Sequence, residues 1–116
     1  MSAPSGCNPE SQNYVDCGFT RVNVPEATNV LVIGTVRGIG DPGTSGGTGF
    51  CRILSNRGGS VASSKTFQSN GDNTTLLAVI FSQGGGVLDF GVECNEYSGG
   101  LQYNQVNVAT LVISPL

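Results

Sequence analysis

Three carboxylates in the C-terminal half of the chain come closest to a pattern that could do chemistry. Asp89 and Glu93 share one face of an alternating segment, and Glu96 follows just beyond it. Paired carboxylates act as acid and base in glycoside hydrolysis, where they flank a bound sugar. A chain of 116 residues rarely builds the deep cleft that this needs. The pattern therefore favours the exposed face of a strand over a hydrolase site.

Nucleophilic catalysis and phosphate binding find little support in the sequence. The chain has no histidine, which excludes Ser-His-Asp and Cys-His arrangements. Lys65 is the single lysine and lies in a polar, alternating stretch, whereas a Ser-Lys dyad needs a buried lysine. Residues 38–43 match G-x-G-x-x-G, but Pro42 and the glycines that follow leave no helix to hold a pyrophosphate. We predict that the protein is not an enzyme and holds no cofactor.

The four cysteines predict two disulfides. A zinc site is the weaker alternative, because the chain has no C-x-x-C pair and no histidine. Alternation of apolar and polar residues puts Cys51 and Cys94 on the core side of two strands, which suits a bridge between them. Cys7 and Cys17 are then left to close a small N-terminal loop. The alternative is four reduced, buried thiols in a cytosolic protein.

Short alternating segments separated by turns predict an antiparallel β-sandwich of jelly-roll type with about seven or eight strands. No window shows the spacing of an amphipathic helix, and no linker divides the chain. We expect an irregular, disulfide-closed segment over residues 1–17, followed by a single sandwich domain over residues 18–116. The predicted strands lie near residues 18–24, 29–37, 50–55, 60–67, 75–82, 86–94 and 104–113, with a long Gly/Ser/Thr loop over 38–49.

Three of these segments are apolar on both faces, whereas a sandwich strand is normally apolar on one. The pattern is clearest in residues 29–37, where valines on one face oppose Leu31 and Ile33 on the other. Residues 75–82 and 104–113 repeat it. The second apolar face needs a cover, and a neighbouring copy is the simplest source, so the sequence predicts a homo-oligomer. The alternative is that a loop or the N-terminal segment covers it.

Two polar clusters are candidates for binding a ligand. Tyr97 and Tyr103 flank a Ser-Gly-Gly turn and lie among amides and carboxylates, which suits sugar recognition or, alternatively, a hairpin propped by its tyrosines. Asn70, Asp72 and Asn73 form the second cluster. Their oxygens suit calcium, but the same residues are what a hairpin turn requires, so we predict no metal site.

Charge and hydropathy narrow the range of partners. The net charge is −3 and the five basic residues are scattered, which argues against nucleic acid. No apolar run reaches the length of a membrane helix. The polar N-terminus is typical of a mature or recombinant start from which any export signal has been removed. With the disulfides, this predicts a secreted protein or one on a cell or virion surface.

Three features carry a resemblance to a known family: VNVP at 22–25 leading into NVLV at 29–32, the inward Cys51 and Cys94, and the closing NVATLVI at 107–113. With these features the run from Phe19 to Ile113 resembles bacterial tumour necrosis factor-like jelly rolls. The resemblance implies a compact homotrimer. Some members of that class are lectins that bind sugars between subunits, and others are structural tips on spores or phage.

The expected function is a non-enzymatic extracellular binding module, with a carbohydrate-binding homotrimer as the favoured form. The alternative is a structural subunit of an extracellular filament, spore coat or virion that assembles through its apolar strand faces.

Overall fold

The computed structural model describes residues 7–41, 43, 46–56, 63–69 and 72–115, with the backbone alone at 63–69, 72–73, 82–83 and 114–115. Within these ranges no helix is long and apolar enough to cross a membrane. The described chain forms the strands β1 (Val15–Val24), β2 (Thr28–Gly40), β3 (Gly47–Ser55), β4 (Ser63–Ser69), β5 (Asp72–Gln83), β6 (Gly86–Cys94), β7 (Ser98–Gly99) and β8 (Leu101–Pro115).

The strands form two antiparallel sheets that pack face to face. One sheet has the order β1-β6-β3-β4, with the short β7 added to β3, and the other has the order β5-β2-β8. Strands β2, β3 and β6 alternate between a buried, inward residue and a more exposed, outward one, as the period of two predicts. The predicted all-β sandwich with two disulfides is confirmed.

The core lies between the two sheets, and alternate residues of both sheets form it. Phe81 of the smaller sheet and Phe90 of the larger one contact each other across it, with ring centroids 5.1 Å apart. The inward phases predicted for β3 and β6 are confirmed, because Ile53, Phe90 and Val92 have no exposed surface. Among the described residues, other large side chains that are fully buried are Val30, Val32, Val36, Leu77, Leu88, Leu101, Tyr103 and Val106.

Both disulfides join the predicted cysteines, the pair chosen by strand phase and the pair that it left over. Cys51 and Cys94 are register partners on the neighbouring strands β3 and β6, and their bridge is buried in the core. Cys7 and Cys17 close the N-terminal segment onto β1. The same segment is fixed to β8, because Cys7 and Tyr103 exchange two backbone hydrogen bonds of 2.6 and 2.8 Å.

Regular pairing extends further than the sequence predicted. β1 begins at Val15, inside the segment expected to be irregular, and β2 and β3 reach into the glycine-rich stretch 38–49. Glycine lowers strand propensity, but these backbones are held by partners: Gly40 pairs with Leu101 and Gly47 with Gly99. Tertiary pairing therefore outweighs the local preference for a loop.

The three segments that are apolar on both faces are β2, β5 and β8, and they form one sheet. Their inward residues fill the core, while their outward residues form what we call the outer apolar face. The described part of the N-terminal segment lies elsewhere, since Cys7 pairs with Tyr103 and Tyr14 packs on Arg52 of the other sheet. The outer apolar face comprises Leu31, Ile33, Leu76, Ala78, Ile80, Ala109 and Leu111.

Candidate functional site

A hollow lies on the outer side of the larger sheet, above Gly91 in β6. The strand register puts Phe19 of β1 on one side of Gly91 and Leu54 of β3 on the other. Because glycine has no side chain, the sheet surface is open at Gly91, whereas the side chains of Phe19 and Leu54 project on either side of it. The resulting space, which we call the Gly91 hollow, has a volume of about 350 Å³.

Phe19 forms one wall and leaves 48% of its surface exposed. A bulge shifts the register of β1 between Asp16 and Gly18. Because of this shift, Phe19 points outwards although Cys17, two residues earlier, is buried. An aromatic side chain exposed beside a concave surface offers a large apolar contact to a ligand. Asp16 also borders the hollow.

An ion pair closes one end of the hollow. Arg21 donates from Nε to Oδ1 of Asp89 at 2.7 Å and from Nη2 to Oδ2 at 3.1 Å. The hydrogen bond from Arg21 holds the pKa of Asp89 below its ordinary 3.8. Asn56 fixes the same strand from the other side, because its Oδ1 accepts from the backbone N–H of Asp89 at 3.0 Å. Asp89 is therefore a carboxylate with a defined orientation at neutral pH.

A second ion pair closes the other end. Arg52 on β3 donates to Oε1 of Glu93 on β6, with an Nη2 to Oε1 distance of 2.9 Å. The guanidinium carbon of Arg52 also lies 3.8 Å from the ring centroid of Tyr14 in the N-terminal segment. Contact with both the carboxylate and the aromatic face restricts the Arg52 side chain.

The two carboxylates are poorly arranged for hydrolysis. Asp89 and Glu93 are four residues apart on one strand, which separates their backbones by roughly 13 Å. Glycosidase carboxyl groups lie about 5 to 9.5 Å apart, and here each is held by its own arginine. Glu96, the third candidate, accepts instead from the backbone N–H of Leu101. The geometry therefore suits binding rather than acid–base chemistry.

Tyr97 and Tyr103, predicted together as ligand contacts, occupy different environments. Tyr97 is 57% exposed and its ring meets Phe50 edge-on, with centroids 6.2 Å apart. Tyr103 is completely buried and donates from its hydroxyl to the backbone oxygen of Asn95 at 2.8 Å. The prediction that Tyr103 contacts a ligand is corrected here, because its inward phase on β8 puts the ring in the core.

The second predicted cluster lies only partly within the described residues. Asn70 falls outside them, as do the side chains of Asp72 and Asn73. The backbones of Asp72 and Asn73 pair with β2 near its end, where it leads towards β3. Tyr97 is near the same end of the sandwich, because its backbone N–H donates to Thr48 of β3. Tyr97 and the backbones of Asp72 and Asn73 thus lie at one end of the molecule, apart from the Gly91 hollow.

The sequence carries a signal for the Gly91 hollow. A glycine inside an otherwise regular alternating strand marks a gap in the sheet surface or a close backbone approach, and residues 86–94 have one at Gly91. The contribution of Phe19 had no such signal. Its position depends on the bulge in β1 and on which strand pairs beside β6.

Comparison with known proteins identifies the fold. Neither a protein-family model nor a curated protein matches this sequence. Among solved structures, the chain is similar to the sugar-binding EclA C-terminal domain, at 12% identity and TM-score 0.58 over 94% of this chain and 79% of that one. It is also similar to murine APRIL, a tumour necrosis factor family protein, at 11% identity and TM-score 0.53 over 94% and 98%.

A third similar structure is the carbohydrate-binding module CBM36, solved with calcium and xylotriose, at 15% identity and TM-score 0.50 over 96% of this chain and 85% of that one. At such identities these likenesses establish the jelly-roll fold and nothing finer. They agree with the predicted architecture and, at the level of fold, with the resemblance to tumour necrosis factor-like domains.

Proposed function

We propose that the chain is a non-enzymatic, extracellular carbohydrate-binding module whose saccharide lies in the Gly91 hollow. The observation that carries the proposal is an exposed aromatic side chain, Phe19, beside two oriented carboxylates above a glycine floor. The volume of about 350 Å³ lies within the range of small-molecule sites, roughly 300–1,000 Å³. The sugar-binding EclA domain and the CBM36 module, which share the fold, lend support to this class of ligand.

The chemistry of the hollow suits a sugar. A pyranose ring has apolar C–H groups on its faces, which pack against an aromatic side chain such as Phe19. Its hydroxyls donate to carboxylates and accept from guanidinium groups. A carboxylate has about four acceptor positions, and Asp89 uses two of them on Arg21. Both ends of the hollow therefore retain hydrogen-bonding capacity for a ligand.

An extracellular location follows from the two disulfides in this proposal. Bridges persist in oxidising compartments and are rare in the cytosol, and the described chain has no free cysteine. Expression in a reducing and in an oxidising compartment, followed by thiol titration, tests this part of the proposal. Full bridge formation with normal yield in a reducing cytosol would contradict it.

The binding experiment compares two exposed aromatic residues. The native protein is screened on an array of neutral and acidic glycans, and the best ligand is titrated by calorimetry. Phe19→Ala is expected to weaken binding at least about tenfold, which corresponds to about 1.4 kcal/mol. Gly91→Val, which fills the floor of the hollow, is expected to weaken it as much. Tyr97→Ala is the matched control, since Tyr97 is also an exposed aromatic residue but lies at the end of the sandwich.

The outcomes separate the two candidate sites. If Tyr97→Ala removes binding and Phe19→Ala does not, the ligand binds at Tyr97, one of the contacts that the sequence predicted, and not in the Gly91 hollow. If no glycan binds the native protein, the carbohydrate proposal is wrong whichever surface is considered.

A second candidate function is a structural subunit of an extracellular filament, spore coat or virion. The outer apolar face supports it, because several large side chains there are exposed, among them Leu76, Ile80 and Leu111. In both candidate functions we propose that the chain self-associates, into a homotrimer as the binding module and into open-ended polymers as the structural subunit. Light scattering under non-reducing conditions distinguishes them, since a discrete particle favours the binding module and open-ended polymers favour the structural subunit.

A further inference from the structure

The outer apolar face is a continuous surface three strands wide. On β2, Leu31 pairs with Ile80 of β5 and with Leu111 of β8, so three large side chains lie in one row across the sheet. Ile33 occupies the next row on the same face, between two alanines. The outermost members are the most open, with Ile80 60% and Leu111 61% exposed.

No charged side chain interrupts these two rows in the described residues. Moving along β2, the next outward residue is Thr35, between Leu76 and Asn107, and only then comes Arg37. The face therefore grades from an apolar centre to a polar margin. Specific protein interfaces have this composition, with charged residues depleted at the core and polar residues at the rim.

The extent of the surface fits a protein partner. Twelve residues of β2, Thr28 to Ile39, pair with β5, so the outer side of the sheet spans roughly 40 by 14 Å. Because side chains project from the sheet, its accessible surface area is larger than this flat area. It approaches the roughly 800 Å² that a standard interface buries on each partner.

We propose that the outer apolar face packs against a second copy of this chain. Each copy carries a net charge of −3, so two copies repel over most of their surfaces. A contact between copies therefore forms best where neither contributes charge, and the rows of Leu31 and Ile33 meet that condition. This inference rests on the self-association proposed above and adds the surface that mediates it.

The test compares lysine substitutions on the two sheets. Native protein, Leu111→Lys and Ile80→Lys are measured by size-exclusion chromatography with light scattering under non-reducing conditions, from micromolar to millimolar concentration. Val87→Lys is the matched control, because Val87 is 46% exposed and lies on the outer side of the other sheet. We expect a discrete oligomer for native protein and control, and at least a tenfold higher dissociation constant for the two face variants.

A second measurement uses only the native protein, so its result does not depend on whether the variants fold. Methyl NMR spectra of the native protein are recorded on dilution, and shifts at Leu31, Ile80 and Leu111 are expected to change while those of Val87 stay constant. If the native protein is monomeric at every concentration, both the self-association and the face are wrong. If it is oligomeric and only Val87→Lys dissociates it, the self-association stands and the proposed face is overturned.

Discussion

Tyr103 shows how one buried hydroxyl fastens the end of the sandwich. Its hydroxyl donates to the backbone oxygen of Asn95, and Asn95 in turn accepts from the backbone N–H of Phe50 through Oδ1 and donates to Gln12 through Nδ2. The network ties β8, β3 and the N-terminal segment together. It needs a close approach at Gly49, where a Cβ atom would overlap both the Tyr103 hydroxyl and the Asn95 carbonyl.

Tyr103→Phe is therefore expected to destabilise the fold by about 1–2 kcal/mol, because it leaves the buried Asn95 oxygen without its donor. Urea unfolding at pH 7 and at one fixed protein concentration measures this. Tyr97→Phe, on an exposed ring, is the control and should change stability by less than about 0.5 kcal/mol. Equal effects of the two substitutions would contradict the role given to the buried hydroxyl.

The same hydroxyl makes stability depend on alkaline pH. Burial raises the pKa of Tyr103 above its ordinary 10.0, with a further contribution from the nearby Glu96. A raised pKa means that the folded state favours the protonated phenol, so this stabilisation is complete below pH 10.0 and is lost as pH rises further. Urea midpoints should therefore fall above that pH for native protein and fall less for Tyr103→Phe. Parallel curves would argue against this linkage.

At the scale of elements, the position of each disulfide decides its contribution. The Cys51–Cys94 bridge spans 43 residues and joins two paired strands in the core, whereas Cys7–Cys17 spans 10 residues at one end. Chain-entropy arguments give about 4 kcal/mol for the longer loop and about 3 kcal/mol for the shorter. Loss of buried packing around Cys51 and Cys94 adds to the difference.

Replacing Cys51 and Cys94 by alanine should thus lower the free energy of unfolding more than replacing Cys7 and Cys17. Urea denaturation of the two double variants measures the difference, with mass spectrometry confirming that the remaining bridge has formed. A larger loss from the N-terminal pair would mean that the segment 7–17 stabilises the sandwich more than its loop length indicates.

A bulge in β8 illustrates what strand periodicity cannot reveal. The register with β2 shifts between Asn107 and Asn104, and Gln105 adopts a left-handed backbone with a φ of 50°. The extra residue changes the phase of β8, so Tyr103 and Val106 both point inwards although they are three residues apart. This phase change is why Tyr103, on the N-terminal side of the bulge, is buried in the core.

For the whole molecule, the charge distribution predicts how assembly responds to salt. The rows of Leu31 and Ile33 carry no charge among the described residues, so burying them is not opposed by direct repulsion at the contact. Screening over the rest of the surface can only reduce repulsion between copies of net charge −3. The dissociation constant should therefore stay constant or fall between about 50 and 500 mM salt.

Sedimentation at the two salt concentrations measures this dependence. An ion-paired interface would behave in the opposite way and weaken as salt rises. Substantial dissociation at high salt would therefore contradict an apolar contact between copies.

The sequence alone determined the class of fold, the phases of β3 and β6 and the bridge between Cys51 and Cys94, which left Cys7 and Cys17 as the second pair. Those features follow from local alternation: in 86–94 the residues Leu88, Phe90, Val92 and Cys94 all face the core as predicted. The two-faced character of residues 29–37, 75–82 and 104–113 was also legible, because each strand carries its own pattern of side chains whatever its neighbours are.

Tertiary structure alone decided which residues meet. The order β5-β2-β8 gathers three two-faced strands into one surface, and the order β1-β6-β3 puts Phe19 and Leu54 on either side of Gly91. Pairing between strands distant in sequence depends on the packing of the whole core, which no local period records. Bulges in β1 and β8 then set the final facing of Phe19 and Tyr103, because one extra residue reverses the phase of everything beyond it.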